Sequence, residues 1–354
     1  MKKYWKVLLM LVGAVLVLAG CKPQTQAKPT LVDQPYQDTQ FLMGTVVTIR
    51  VYDKGKQAAL KDAFARIKQL ADEITVNEKG SEIDAVNAQA GVKPVKVTPS
   101  IFSLISYAKY FSDNSDGAFD LAIGPITSLW HIGFPDARKP SQAEIDARLP
   151  LVNYKNVELD AAKQTVYLKQ KGMQLDLGGI AKGFITDEVV KVLKKDKVST
   201  AIVDLGGNLY VLGNSPKHQD AKWTVGIQDP KQARGTALGT VPEVNKTIVT
   251  SGIYERYLKV GNKTYMHLMN PKTGYPFDNN LMGVSIITKK SVDGDALSTA
   301  TFDKGLKDGL AYIEKRKNTE AIFITKDYKV YTTSGLKDSF KLVKGTKYKL
   351  ATLK

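Results

Sequence analysis

The chain has 354 residues, 43% of them hydrophobic and 24% charged, with one cysteine and a formal net charge of +16. That length and apolar content suit a sizeable globular core, and a lone cysteine excludes a disulfide framework. The basic residues are scattered, mostly lysine, without arginine-rich runs or basic stretches interleaved with aromatics. The charge therefore argues against nucleic acid as a partner and for an anionic membrane surface or an anionic nucleotide.

In chain order, Lys2, Lys3 and Lys6 precede an unbroken apolar stretch from Val7 to Leu18, and the small pair Ala19 and Gly20 precedes Cys21. This is the order of a secretory signal, and the stretch is shorter than the roughly 20 residues of a spanning helix. Leu18-Ala19-Gly20-Cys21 is similar to a bacterial lipobox. That likeness implies cleavage before Cys21, acylation of its thiol, and a protein anchored in the cell membrane on its extracytoplasmic face. The alternative is an uncleaved N-terminal membrane helix. Residues 21–40, rich in Gln, Thr, Lys and Pro, read as a flexible tether, and residues 41–354 as the folded part.

Within that part, Thr45–Tyr52 is rich in β-branched residues and predicts a strand. Leu60, Phe64, Ile67, Leu70 and Ile74 recur at helical spacing, which predicts an amphipathic helix over about 57–74. Thr98 followed by Pro99 announces a second helix, and Ser141 with Glu144 is a capping box for a third that stops before Pro150. From Val157 onward short strands dominate: 166–168, 173–177, 201–205, 209–212, 223–228, 247–250, 256–260 and 264–268. Helices intervene near 180–194 and 295–315, and strands over 321–325 and 329–332 close the chain through a hairpin-like connection. Such mixed order predicts an α+β architecture rather than a βαβ repeat.

Several segments could carry chemistry. Leu175-Asp176-Leu177-Gly178-Gly179-Ile180-Ala181-Lys182-Gly183 runs through two glycines into a helix, a geometry that suits an anion and that Lys182 would reinforce. It matches neither the Rossmann glycine spacing nor a P-loop, so a plain turn is an equal reading. Asp204-Leu205-Gly206-Gly207-Asn208 reads as a tight hairpin. His131, His218 and His267 each read, taken alone, as structural residues. Asp295 and Thr299, four residues apart, would share one helix face, as an exposed pair, a cap, or oxygen ligands for Mg²⁺ or Ca²⁺. No cysteine or second histidine lies nearby to favour zinc.

Taken in order, Phe41-Leu42-Met43-Gly44-Thr45, Asp116-Gly117-Ala118-Phe119-Asp120, Leu175–Gly183, Asp204–Asn208, Ser251-Gly252 with Tyr254, His267–Gly274 and Asp295–Ala300 resemble the ApbE family, the FAD:protein FMN transferases. The resemblance spans nearly all of the mature chain. It implies a T-fold-like α+β domain with mixed, largely antiparallel sheets and packed helices. It also implies an enzyme that moves FMN from FAD onto a Thr or Ser hydroxyl of an exported acceptor flavoprotein and releases AMP.

By the same resemblance, FAD is held at Met43, Ala118, Phe119, Asp120, Asp176, Lys182, Leu268 and Met269. Mg²⁺ is bound by Asp295, Thr299 and the carbonyl of Gly179, and His267 is the base. One departure stands out: the family's H-x-x-D-P segment has Asn270 here, which keeps the turn-forming role without the charge. Whether the aspartate also tunes His267 stays open at this point. The rival functions are an FAD pyrophosphatase with water as acceptor and a non-catalytic flavin-binding lipoprotein.

Overall fold

The structure is a computed structural model that describes residues 30–217 and 222–353. The signal segment, Cys21, the tether over 21–29 and His218 lie outside the described residues. The chain opens with β1 (Leu31–Leu42), β2 (Thr45–Asp53), α1 (Ala58–Ile74), α2 (Glu82–Ala88), β3 (Val95–Lys96) and α3 (Pro99–Asn114). Next come α4 (Gly124–Trp130), α5 (Gln142–Arg148), β4 (Val157–Asp160), β5 (Thr165–Leu168) and α6 (Ala181–Lys195). Strands β6 (Ala201–Leu205), β7 (Asn208–Leu212), β8 (Trp223–Gln228), β9 (Ala237–Glu243), β10 (Lys246–Gly252), β11 (Tyr257–Val260), β12 (Lys263–Met266) and β13 (Leu281–Thr288) follow. Helix α7 (Ser291–Glu314) precedes β14 (Glu320–Thr325), β15 (Lys329–Thr332), β16 (Lys341–Leu342) and β17 (Lys349–Leu350).

Nine strands form one sheet in the order β1-β2-β6-β7-β10-β13-β14-β15-β17, antiparallel except for the last pair. The expected α+β class with largely antiparallel sheets is what the structure has. Strand β14 shows how the layers arise: Ala321 and Phe323 point into the core shared with the helices, while Ile322 and Ile324 point into a second core with Trp223, Val225 and Leu238. The period-2 alternation of a strand thus serves two apolar layers, helices on one face and the small β16-β9-β8 sheet on the other. The unit Leu31–Lys354 is held by these cores.

Helix α1 buries Leu60, Phe64, Ile67, Leu70 and Ile74, the predicted stripe, and each such side chain contributes about 1.5–3 kcal/mol on leaving water. The capping box at Ser141 is present, with both reciprocal bonds formed. Thr98 does occupy the N-cap of α3, but its hydroxyl makes no capping bond.

Two expectations need correction. Residues 31–40, read as tether, belong to β1, which pairs antiparallel with β2. As an edge strand with mostly exposed side chains it looks compositionally like a linker, and its order comes from main-chain pairing. Residues 173–177 form no strand: Gln174 makes an isolated bridge to Ile123, and the Leu175 main chain is bonded on both sides by the Asn87 side chain.

Helices α6 and α7 position the site. A Cβ on Gly183 would lie 2.3 Å from the Ser291 carbonyl oxygen and 2.8 Å from Asp295 Cβ, so only glycine lets the two helices approach this closely. Asp187 on α6 reinforces the crossing, its carboxylate accepting from the N–H groups of Ser291 and Val292 at the start of α7. Burial raises the Asp187 carboxyl to about 6 despite those two bonds. Helix α7 lies over β10 and β13 and is interrupted at Gly305, whose φ is +71°.

Candidate active site

Asp295, one turn into α7, is 5% exposed, and its Oδ2 accepts from Gly183 N–H at 2.8 Å. Burial pushes its carboxyl up from the ordinary range, against the opposing pull of Lys182, the Gly183 N–H and the Asn208 amide. Thr299 follows one turn later, and a methyl placed on Gly179 would come within 3.1 Å of its Oγ1 and 3.3 Å of the Phe119 ring. The α6 N-terminus is therefore partly committed: Gly183 N–H, read from sequence as free for an anion, serves Asp295. What converges here is one carboxylate, one hydroxyl and the main chain at Gly179. Among the described residues no group of three or more His, Cys, Asp or Glu forms, at this site or elsewhere. A buried carboxylate with no ion pair, next to a hydroxyl, fits a hard cation with oxygen ligands and not zinc.

The half-buried His267 follows directly on β12. Its N–H and Nδ1 both lie against the carbonyl oxygen of Arg256, at 3.1 and 3.2 Å. A carbonyl can only accept, so Nδ1 carries the proton and Nε2 keeps its lone pair. Burial first, then the charges of Lys182 and Arg256, lower the imidazole to about 4, the Arg256 carbonyl pulling the other way. At neutral pH the ring is uncharged. Lys182 thus acts on both His267 and Asp295, and among the described residues neither Lys182 nor Arg256 forms an ion pair.

Of the other residues singled out from the sequence, Phe119 stands against Gly179 and Met43 faces Arg256. Met43, with φ +54°, turns between β1 and β2, and its carbonyl and that of Gly44 face the Arg256 guanidinium. Ala118 and Phe119 are buried in the main core. Asp120 accepts from Ala122 and Tyr154 N–H groups, and burial lifts it to about 6. Asp176 closes a turn onto Gly178 N–H, and its own N–H donates to Leu121, tying this loop to the Asp120 segment. Leu268 and Met269 have side chains turned into two different cores, and the Leu268 carbonyl accepts from Phe277 N–H. His131 pairs with Asp136 and stacks on Phe134. An open cleft of about 380 Å³ lined by Gln37, Lys61 and Phe64 shares none of the site residues.

A family model described as the ApbE family matches residues 43–323. The chain belongs to the ApbE family. It is 38% identical to the FAD:protein FMN transferase of Klebsiella pneumoniae, over 84% of this chain and 92% of that one. With the FAD:protein FMN transferase of Treponema pallidum it shares 36% identity, over 87% and 89%. Among solved structures, the ApbE protein of Thermotoga maritima superposes with a TM-score of 0.79 at 28% identity, covering 86% of this chain and 98% of that one. The apo form of the Pseudomonas stutzeri flavinyl transferase ApbE gives 0.74 at 26%, covering 86% and 96%.

Against the ApbE-family pattern, Asn270 has a physical explanation. Its Oδ1 accepts from Lys272 and Thr273 N–H groups, the turn an aspartate would also make, while its Nδ2 donates to Asp303 Oδ1 at 2.8 Å. The side chain makes no bond to His267. Burial already raises the Asp303 carboxyl, so Asn270→Asp would set two carboxylates against each other. Both folded-state pKa values would then exceed their unfolded values, and the penalty would be full at high pH and relieved as pH falls through them. Denaturant titrations of Asn270→Asp should show a loss of about 1–3 kcal/mol at pH 8 that shrinks toward pH 5. A loss independent of pH would dismiss the pairing.

Sequence reasoning assigned no role to Asp187, Asn208 or Arg256, although Asn208 ends a quoted segment and Arg256 opens the strand predicted over 256–260. Asn208 is 1% exposed and its Oδ1 has no partner, which places an amide beside Asp295 that nothing in a hairpin reading would find.

Proposed function

We propose that this chain is an FAD:protein FMN transferase: it moves FMN from FAD to a Thr or Ser hydroxyl of an exported acceptor protein and releases AMP. The observation that carries the reading is the convergence of Asp295, Thr299 and Gly179 with Lys182 and a neutral His267, where among the described residues Lys182 has no ion pair and His267 Nε2 no hydrogen bond. The family and its FMN-transferase relatives supply the substrate.

In the reaction, the acceptor oxygen attacks the phosphorus on the flavin side of FAD. A new O–P bond forms, the bond to the bridging oxygen breaks, and AMP leaves with that oxygen. His267 Nε2 takes the hydroxyl proton, while Nδ1–H on the Arg256 carbonyl holds the ring in place. Lys182 neutralises negative charge on the phosphates, and the same arriving charge offsets the cations that hold His267 low, making it a stronger base once FAD is bound. Asp295, Thr299 and Gly179 would hold Mg²⁺, which when bound polarises the phosphoryl oxygens. Asp295 is buried, while Gly179, Lys182, His267 and Thr299 are partly exposed and open to a ligand.

Incubation with FAD, Mg²⁺ and a co-expressed exported flavoprotein, followed by intact mass spectrometry, should show the acceptor gain one FMN for each AMP released. Free FMN appearing with no labelled acceptor would mean a hydrolase. The signal and lipobox order supports anchoring through Cys21 on the extracytoplasmic face. Metabolic palmitate labelling should disappear in Cys21→Ser; label retained there would reject the anchor.

A further inference from the structure

Arg256 stands between β10 and β11, and its two ends do different things. Its main-chain oxygen orients His267. Its side chain crosses to the β1–β2 turn along a path that two glycines keep open. A Cβ on Gly133, φ +101°, would lie 2.8 Å from Arg256 Cδ, and one on Gly44, φ +68°, 2.6 Å from Nη2. The guanidinium is thus delivered to one place.

Once there it is poorly used by the protein. Only Nη2 has partners, the carbonyls of Met43 and Gly44 at 3.4 and 3.3 Å, both long for charge-assisted bonds. Among the described residues Nε and Nη1 make no hydrogen bond, and no carboxylate pairs with the charge. A half-buried guanidinium with unspent donors, held beside the proton-accepting ring, is complementary to an anion with several oxygens.

We propose that Arg256 is a second phosphate-binding residue of the site, gripping the dinucleotide's phosphates together with Lys182. The inference rests on FAD being the substrate. It gives the fork of Arg256 the directional contact and Lys182 the point charge, so that His267 and the phosphorus under attack share one rigid support.

The test compares binding of FAD, ADP and riboflavin to the wild-type protein, Arg256→Gln and Arg256→Lys, with Mg²⁺ present. Arg256→Gln should weaken FAD and ADP alike by about 10- to 100-fold and leave riboflavin, which has no phosphate, unchanged. Arg256→Lys should recover part of the loss. Equal weakening of riboflavin would reduce Arg256 to a brace for the β1–β2 turn, and unchanged FAD and ADP affinity would overturn the proposal. A wild-type protein that binds neither FAD nor ADP would instead remove the functional reading, and this one with it.

Discussion

Asp295→Asn is expected to lower FMN transfer by on the order of 10³-fold while leaving the protein folded. The asparagine oxygen can still accept from Gly183 N–H, so the contact between α6 and α7 is kept. What goes is a charge that the apo protein holds at a cost, since burial outweighs the pull of Lys182 and the two amides. The apo variant should therefore melt no lower than wild type, because a charge buried without an ion pair opposes folding. In wild type Mg²⁺ should raise the melting temperature through binding to the folded state, and in Asp295→Asn it should not. AMP release and thermal shift across an Mg²⁺ titration read both effects. Undiminished transfer, or a full Mg²⁺ shift in the variant, would remove Asp295 from the cation site.

His267→Ala is the second large effect: a fall in transfer of about 10²–10⁴-fold with FAD still bound. Its pH dependence separates a base from a packing residue. The folded-state value of about 4 lies below the ordinary histidine range, so the ring stays neutral through pH 5. The kcat/KM profile, which reports the free enzyme, should be flat from pH 5 to 8 and fall only near pH 4. The kcat profile should turn down at a higher pH, because bound phosphate charge counters Lys182 and Arg256. In His267→Ala the His267-dependent acid limb should vanish from both. A wild-type limb near pH 6.5 in kcat/KM would mean that the ring is not packed and flanked as described, and loss of FAD binding in the variant would make His267 a pocket residue.

How far the sequence reaches depends on how local the cause is. The capping box at Ser141 and the stripe of α1 were legible because each arises within a few turns of one helix. Strand β13 was not: all eight of its residues are buried between two layers, so it shows no alternation and reads as neither strand nor helix. Residues 173–177 look like a strand by pattern, yet a side chain 88 positions away, Asn87, takes both backbone bonds of Leu175. The edge strand β1 hides in a linker-like composition.

The site divides in the same way. Asp295 and Thr299 share a helix face by spacing alone, but that Gly179 sits against Thr299 and that Gly183 serves Asp295 depend on how α6 crosses α7. The family resemblance groups Gly179 with Asp295 and Thr299 but did not reach the bond from Gly183 to Asp295. It could not reach the neutral form and fixed tautomer of His267, which follow from Arg256, Lys182 and burial together. Nor could it settle Asn270, whose amide is matched to Asp303 across the fold.

If a hard cation is held by Asp295 and Thr299 as proposed, it would lie against the phosphates of bound FAD. Mn²⁺ in place of Mg²⁺ makes that contact visible, because bound manganese couples magnetically to nearby phosphorus. Pulsed electron–nuclear double resonance on the protein with Mn²⁺ and FAD should show ³¹P coupling that disappears in Asp295→Asn. Manganese bound without ³¹P coupling, or coupling that survives in the variant, would contradict the account.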